Sequence, residues 1–181
     1  MCIETDAKDY NKAQLNAWAP EEYDLDAWRE RLSKNYTIVA EKGSIITGFG
    51  SVDGFGYFDL LFVHKDYQGQ GTATLIAEGI EKYALQKGFH RITTESSITA
   101  RQFFERRGYI AVREQRIERS GVALGNFMME KLLKIKKEPH TEALFVNGAG
   151  NGSLLEPIRL LHEISKSNDC QVFIDNVLKL I

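Results

Sequence analysis

The chain has 181 residues, of which 43% are hydrophobic and 27% are charged, and this balance is typical of a globular protein with one sizeable core. Its formal net charge is −2 and its isoelectric point is near 6.1, so no overall basic field attracts nucleic acid or an anionic membrane. We expect neither partner. No apolar run approaches the ~18 residues of a membrane span, and the acidic first residues do not form a signal peptide, which favours a cytoplasmic protein.

The first part of the chain predicts helical structure followed by three strands. Apolar residues recur at helical spacing from Asp9 to Arg31, with a break at Pro20. A hairpin follows, with strands over 36–40 and 44–50. The next strand, over 56–63, is largely apolar, as expected in the middle of a sheet.

Helices and strands alternate in the second part of the chain. The pattern predicts a helix over 72–86, a strand over 89–95, a helix over 99–107 that Thr99 caps, and two strands over 109–118 and 124–133. This order of elements indicates an α/β or α+β fold built on one sheet rather than a helical bundle.

The last part of the chain differs in composition from the rest. A lysine-rich stretch followed by Pro139 marks the end of a first domain, residues 1–137, and residues 138–181 form a C-terminal extension. We expect a helix over 154–165 in this extension, which carries no motif that we associate with chemistry.

A glycine-rich loop connects the strand ending at Val63 to the helix that begins at Thr72. Its sequence is Gln68-Gly-Gln-Gly-Thr-Ala73, and in a strand–glycine loop–helix the backbone N–H groups converge on an anion. Gly69 and Gly71 tolerate positive φ and let a phosphate approach closely. The loop lacks the lysine of a Walker motif and the third glycine of a dinucleotide fingerprint. Taken alone, it is equally consistent with a plain turn.

The loop resembles the Q/R-x-x-G-x-G/A motif of the GNAT superfamily of acyltransferases, with Gln68, Gly71 and Ala73 at the matching positions. The segment 97–109 resembles the family's next motif: a small polar residue, Ala, an aromatic with Glu, and Gly followed by an aromatic. The closing stretch 121–131 is similar to the last hairpin of one bacterial subgroup. The resemblance covers roughly residues 7–133.

The resemblance implies a mixed, mostly antiparallel sheet, flanked by helices, whose two central strands splay apart. Acetyl-CoA would lie in the splay, with its pyrophosphate on the loop amides and its thioester beside a bulged strand. The family's first strand and helix are expected to be missing here, which would leave a sheet edge bare. We expect 143–146 or 170–174 to cover that edge, within the chain or in a homodimer; an unrelated, weakly ordered extension is the alternative. The residues that the resemblance assigns to acetyl-CoA are Leu61, Phe62, Val63, Gln68, Gly69, Gln70, Gly71, Thr72, Ala73, Ser97, Arg101 and Phe104.

Two residues are the candidates for catalysis. Asp59 lies on the central strand, where some family members place a carboxylate that deprotonates the amine; a structural polar residue is the alternative. Ser97 occupies the family's polar position near the CoA sulfur, and it is also suited to capping a helix. Phe104 stands where the family often has a tyrosine that protonates the thiolate. Asn126 lies in the last hairpin, either in the acceptor cleft or in a turn.

The function that the resemblance implies is N-acetylation. The chain would transfer acetyl from acetyl-CoA to a primary amine of a small molecule by direct attack, without a metal. The alternative is a catalytically weak module that binds acyl-CoA as a sensor, which Phe104 and the missing front strand favour. A protein-modifying acetyltransferase is a third possibility that the sequence does not separate from the first.

Overall fold

The computed structural model describes residues 9–18 and 24–134, together with the backbone of residues 159–162. The helices are α1 (Lys12–Trp18), α2 (Leu25–Lys34), α3 (Thr72–Gln86) and α4 (Ile98–Arg106), and the strands are β1 (Tyr36–Lys42), β2 (Ile45–Val52), β3 (Tyr57–Val63), β4 (Arg91–Ser97), β5 (Ile110–Arg119), β6 (Val122–Leu132) and β7 (Arg159–His162). None of the helices in these ranges is long and apolar enough to cross a membrane.

The helical pattern predicted from Asp9 to Arg31 corresponds to two separate helices. The second, α2, begins after Asp24, whose carboxylate accepts hydrogen bonds from the amides of Asp26 and Ala27. A side chain in this position satisfies N–H groups that the first turn leaves without partners, so it fixes where the helix begins. The helix continues past Arg31 and ends at Lys34.

The strands form a single sheet in the order β5-β6-β4-β3-β2-β1-β7. All neighbouring pairs are antiparallel except the central one, in which β3 and β4 run parallel. That central pair is joined only at Tyr57 with Thr93 and at Phe58 with Thr94, after which the two strands diverge. The predicted mixed, mostly antiparallel sheet with a central splay is therefore confirmed.

The outer edge of β1 pairs with β7, a strand from the C-terminal part of the chain. Residues 159–162 run antiparallel to β1, with Ile38 opposite His162 and Glu41 opposite Arg159. The prediction of a helix over 154–165 is wrong at these residues, because an open strand edge offers backbone partners that local periodicity does not register. The segments 143–146 and 170–174, which we expected at this edge, lie outside the described residues.

The main core lies between the sheet and the helices α3 and α4. Phe58, Ile76, Ile80, Ile92 and Met129 are at its centre and are almost completely buried. Glycine in β2 brings α3 close to the sheet, since a Cβ added at Gly50 would lie 2.6 Å from Cγ2 of Ile76. This close packing holds the first turn of α3 near the carboxyl end of β3.

The opposite face of the sheet is covered by α1 and α2. Tyr10 is buried there, and its hydroxyl donates to the carbonyl of Gly125 at 2.9 Å and accepts from the amide of Ile98 at 3.0 Å. The prediction that Thr99 caps α4 is wrong, because β4 runs on to Ser97 and the helix begins directly after it. Ser97 is the cap, and Thr99 instead donates to the carboxylate of Asp9 at 2.6 Å.

Candidate active site

The site begins with the divergence of β3 from β4. On its other side β3 pairs with β2, but Ser51 lies opposite Leu60 while Val52 lies opposite Phe58. Asp59 is therefore the extra residue of a β-bulge, which bends the strand and re-aims its side chains. The bulge lies just after the last residue of β3 that pairs with β4, so the gap in the sheet opens at this point.

A cavity of about 160 Å³ occupies the gap. Its walls come from β3, β4, α1, α2, α4 and the end of β5, so it reaches both faces of the sheet. The lining residues are Leu15, Trp28, Arg31, Tyr57, Phe58, Asp59, Leu60, Leu61, Phe62, Thr94, Glu95, Ser96, Ser97, Ala100, Phe104 and Arg119. Five predicted site residues are therefore brought together here: Asp59, Leu61, Phe62, Ser97 and Phe104.

The glycine-rich loop lies at the first turn of α3. Gly69 has φ +69° and Gly71 has φ +90°, so both adopt the left-handed conformation that glycine tolerates. Gly71 is the N-cap residue of the 15-residue α3, and without a side chain it cannot cap the amides of the first turn. A Cβ added at either glycine would meet no atom within 4 Å, so the space in front of the loop is open.

Side chains in this loop turn back onto the loop itself. The hydroxyl of Thr72 is buried and donates to the carbonyl of Tyr67 at 3.3 Å, while the amide of Gln70 donates to the carbonyl of Asp66 at 2.8 Å. The groups available to an anion at the start of α3 are consequently backbone N–H groups, which is the arrangement that binds phosphates at helix N-termini.

Two of the predicted cofactor residues lie outside the cavity and the loop. Val63 pairs with Gly48 at the end of β3. The guanidinium of Arg101 lies 4.3 Å from the ring centroid of Phe127 and bonds the carboxylate of Glu105 at 2.7 Å. A contact of either residue with acetyl-CoA stays a prediction.

Asp59 is held by two residues of α2 and its C-terminus. Nε of Arg31 donates to its Oδ2 at 2.7 Å, Nη2 of Arg31 bonds its Oδ1, and Nδ2 of Asn35 donates to Oδ2 at 2.9 Å. The hydrogen bond to Asp59 is the main cause that raises the pKa of Arg31 above its ordinary value. Both carboxylate oxygens accept hydrogen bonds, so this carboxylate anchors α2 to β3.

Glu95 and Asn126 form a second polar pair beside the cavity. Nδ2 of Asn126 donates to Oε2 of Glu95 at 3.1 Å, and Glu95 lines the cavity. Tyr57 lines the same wall, and burial followed by the charge of Glu95 raises its pKa to about 12. We did not anticipate Glu95 or Tyr57 from the sequence, although alternation along β3 places Tyr57 near Asp59.

A family model described as an acetyltransferase (GNAT) domain matches residues 6–133. The chain belongs to the GNAT acetyltransferase family. Among proteins of similar sequence, the uncharacterized N-acetyltransferase YafP of Escherichia coli (strain K12) is 35% identical over 125 residues, which are 69% of this chain and 78% of that protein. The resemblance of the loop and the second motif to GNAT proteins is thereby confirmed.

Solved GNAT structures share the fold. A GCN5-related N-acetyltransferase from Rhodopseudomonas palustris matches with a TM-score of 0.70 and 35% identity, covering 72% of this chain and 82% of that one. The acetyltransferase YncA from Salmonella typhimurium, solved with its cofactor acetyl-CoA, matches with a TM-score of 0.53 and 20% identity over 76% and 88% of the two chains. At that lower identity the second match supports the fold alone.

This GNAT chain has a phenylalanine at the position where the resemblance implies a tyrosine. Phe104 is 3% exposed, with its ring edge-to-face against Phe58 at 5.6 Å and Tyr109 at 5.0 Å. Tyr109 is no substitute proton donor, because it is 2% exposed in the core and is not a lining residue of the cavity. Within the described residues, no group of three or more His, Cys, Asp or Glu side chains is arranged to hold a metal ion.

Proposed function

We propose that this acetyltransferase moves the acetyl group of acetyl-CoA to a primary amine of a small molecule by direct attack. The observation that carries the proposal is the cavity of about 160 Å³ in the gap between β3 and β4, which reaches both faces of the sheet. A donor can therefore enter from the face that carries the loop and an acceptor from the face covered by α1 and α2. The two substrates would meet beside the bulge at Asp59.

The donor side fits acetyl-CoA through its backbone. The N–H groups at the start of α3 would hold the pyrophosphate, because the loop is open in front of Gly69 and Gly71 and the helix N-terminus favours negative charge. Acetyl-CoA supplies the acetyl group as a thioester, whose carbonyl carbon is the electrophile. A fixed backbone N–H on β3 beyond the bulge would stabilise the oxyanion that forms on attack.

The acceptor side favours a small amine with an apolar body. Leu15, Trp28 and Tyr57 line the cavity there, and Trp28 packs edge-to-face on Phe62 with ring centroids 6.1 Å apart. A lysine side chain of a protein presents a similar amine, so a peptide substrate belongs in the same test. Amine pKa values are about 10.4, so the acceptor must lose a proton before it attacks.

The second candidate is a module that binds acyl-CoA without turnover, and Phe104 is the observation that favours it. A phenylalanine cannot protonate the departing thiolate. The first candidate does not need that proton, because thiols have pKa values of about 8.5 and a thiolate leaves readily at neutral pH. The absence of a tyrosine at this position therefore slows the proposed reaction less than loss of the amine's base would.

Binding and turnover together distinguish the two candidates. We expect acetyl-CoA to raise the melting temperature of the full chain, and we expect thiol release when 2-phenylethylamine or another member of a primary-amine panel is added. A lysine-containing peptide is the protein-like member of the panel. A thermal shift without thiol release for any amine would support the binding module. If acetyl-CoA causes no thermal shift and no amine causes thiol release, both candidates are contradicted.

A further inference from the structure

Asn126 is a fully buried polar side chain with one unsatisfied atom. Its exposed fraction is 0%, its Nδ2 donates to Oε2 of Glu95 at 3.1 Å, and its Oδ1 has no hydrogen-bond partner among the described residues. An ionised carboxylate can only accept hydrogen bonds, so the Glu95 contact fixes which end of the amide faces it. The amide is thus oriented by Glu95, and Oδ1 is left buried as a consequence.

This arrangement costs stability. A buried acceptor without a partner is unfavourable because nothing replaces its hydrogen bond to water, and an apolar side chain of similar size would avoid that cost. Side chains alternate between the two faces of a strand, so Leu124 shares the face of Asn126 on β6, and Leu124 is fully buried and apolar. Packing at position 126 therefore favours a residue such as leucine. What asparagine provides there, and leucine would not, is the hydrogen bond to Glu95.

The two carboxylates of the cavity differ in their partners. Asp59 is neutralised by Arg31, whereas the hydrogen bond that Glu95 receives comes from a neutral amide. That bond goes to Oε2 of Glu95, and no hydrogen bond from the described residues reaches Oε1. Glu95 is also exposed to solvent, so an acceptor can reach it. Arg119 and Tyr57 are the other ionisable groups that line the cavity.

We propose that Glu95 binds the ammonium group of the acceptor and takes its proton, and that Asn126 is a positioning residue that holds the Glu95 carboxylate beside the gap. This inference rests on the proposed function. The ammonium gives one proton to Glu95; the freed nitrogen then forms the C–N bond as the thioester C–S bond breaks. The second nitrogen proton goes to the released thiolate, which leaves the amide product, CoA thiol and protonated Glu95.

Two substitutions test the pair with acetyl-CoA and 2-phenylethylamine, or with the best amine of the panel. Glu95→Gln keeps the shape of the side chain and removes the base, so kcat should fall by about a hundredfold, within the range for loss of a general base. Asn126→Leu should lower kcat about tenfold and change the pH profile, while the melting temperature stays the same or rises. The affinity for acetyl-CoA should be unchanged in both variants.

Asn35→Leu is the matched control for Asn126→Leu. It removes a side-chain amide that donates to the other cavity carboxylate, Asp59, at 2.9 Å. We expect this variant to lose stability and to keep the wild-type pH profile. The opposite pattern, in which Asn35→Leu alters the profile and Asn126→Leu does not, would overturn the inference.

The failure of this inference can be told apart from the failure of the proposed function. If the wild-type chain acetylates an amine and both Glu95→Gln and Asn126→Leu retain its kcat and pH profile, the assignment of the pair is wrong while the function stands. If the wild-type chain acetylates no amine, both are wrong. An Asn126→Leu variant that fails to fold would contradict the stability argument, and the exposed Glu95→Gln would still report on the base.

Discussion

The two sides of the gap in the sheet differ in the groups that form them, which are backbone groups on one side and side chains on the other. The donor side consists of backbone: glycines 69 and 71 at positive φ, the uncapped first turn of α3 and the bulged strand β3. The acceptor side consists of side chains that α1, α2, β3, β4 and β5 contribute. A backbone site tolerates exchange of its side chains, whereas the chemistry on the acceptor side depends on individual residues. Cofactor binding and acceptor chemistry should therefore respond to different substitutions.

The donor side depends first on how closely α3 packs against β2. A Cβ at Gly50 would lie 2.6 Å from Cγ2 of Ile76 and 2.9 Å from the carbonyl oxygen of Leu60, and the second of these is backbone. We expect Gly50→Ala to lower the free energy of unfolding by as much as about 3 kcal/mol, the upper part of the range for overpacked cores. Urea unfolding of the variant and of the wild type measures this loss in the free energy of unfolding. Gly54→Ala is the control, since a Cβ there meets nothing within 4 Å, and equal losses in both variants would contradict the packing argument.

On the acceptor side, the pair formed by Asp59 and Arg31 should act on stability. We expect Asp59→Asn to lower the free energy of unfolding by about 2 kcal/mol, because hydrogen bonds to a charged group are lost. A double-mutant cycle with Arg31→Gln should return a coupling energy between the two residues, since they are in direct contact. If Asp59→Asn instead keeps full stability and abolishes the pH dependence of turnover, Asp59 is the base that the sequence suggested.

On the donor side, the affinity for acetyl-CoA should fall when a single Cβ is added to the glycine-rich loop. Gly71→Ala places a side chain at φ +90°, and we expect it to weaken acetyl-CoA binding about tenfold, which corresponds to about 1.4 kcal/mol. Gly121→Ala is the matched control, with φ +74° in the turn between β5 and β6 and equally open space around its Cβ. Isothermal calorimetry should find unchanged affinity in the control; equal weakening in both would mean that strain, and not contact with the ligand, is responsible.

The smallest effect concerns Tyr57 at alkaline pH. Its pKa is raised to about 12 in the folded protein from the ordinary value near 10, mainly by burial. The contribution of neutral Tyr57 to the free energy of unfolding is fully present below pH 10. It is lost as the pH rises towards 12, because Tyr57 ionises at lower pH in the unfolded chain than in the folded protein. Tyr57→Phe should reduce the fall in unfolding free energy over this interval by about 1 kcal/mol. Parallel alkaline unfolding curves for the variant and the wild type would contradict the placement of Tyr57.

Local sequence predicts the donor side well because its determinants are adjacent in the chain. Residues 72–86 were predicted as a helix with the bounds that α3 has, and the glycines before it were recognised as residues that tolerate the positive φ they adopt. The family resemblance supplied the mixed sheet and its central splay, which periodicity does not reveal. Loop glycines and a helical stripe are short-range signals, so a single sequence suffices to find them.

The acceptor side could not be predicted in the same way, because its contacts join distant residues. Asn126 and Glu95 are 31 positions apart, and Arg31 and Asp59 are 28 apart. Which carboxylate finds a guanidinium and which finds an amide depends on how α2 and β6 pack on the sheet. The strand at Arg159–His162 was missed for the same reason, since its partner β1 lies more than a hundred positions earlier.

The most direct test of the account follows the acetyl group itself. The chain is incubated with acetyl-CoA that carries isotopic label in the acetyl carbons, together with 2-phenylethylamine or the best amine of the panel, and both products are measured by mass spectrometry. We predict labelled N-acetylamine and free CoA thiol in equal amounts. Thiol released without labelled amide, or no release from any amine despite bound acetyl-CoA, would contradict the proposed transfer.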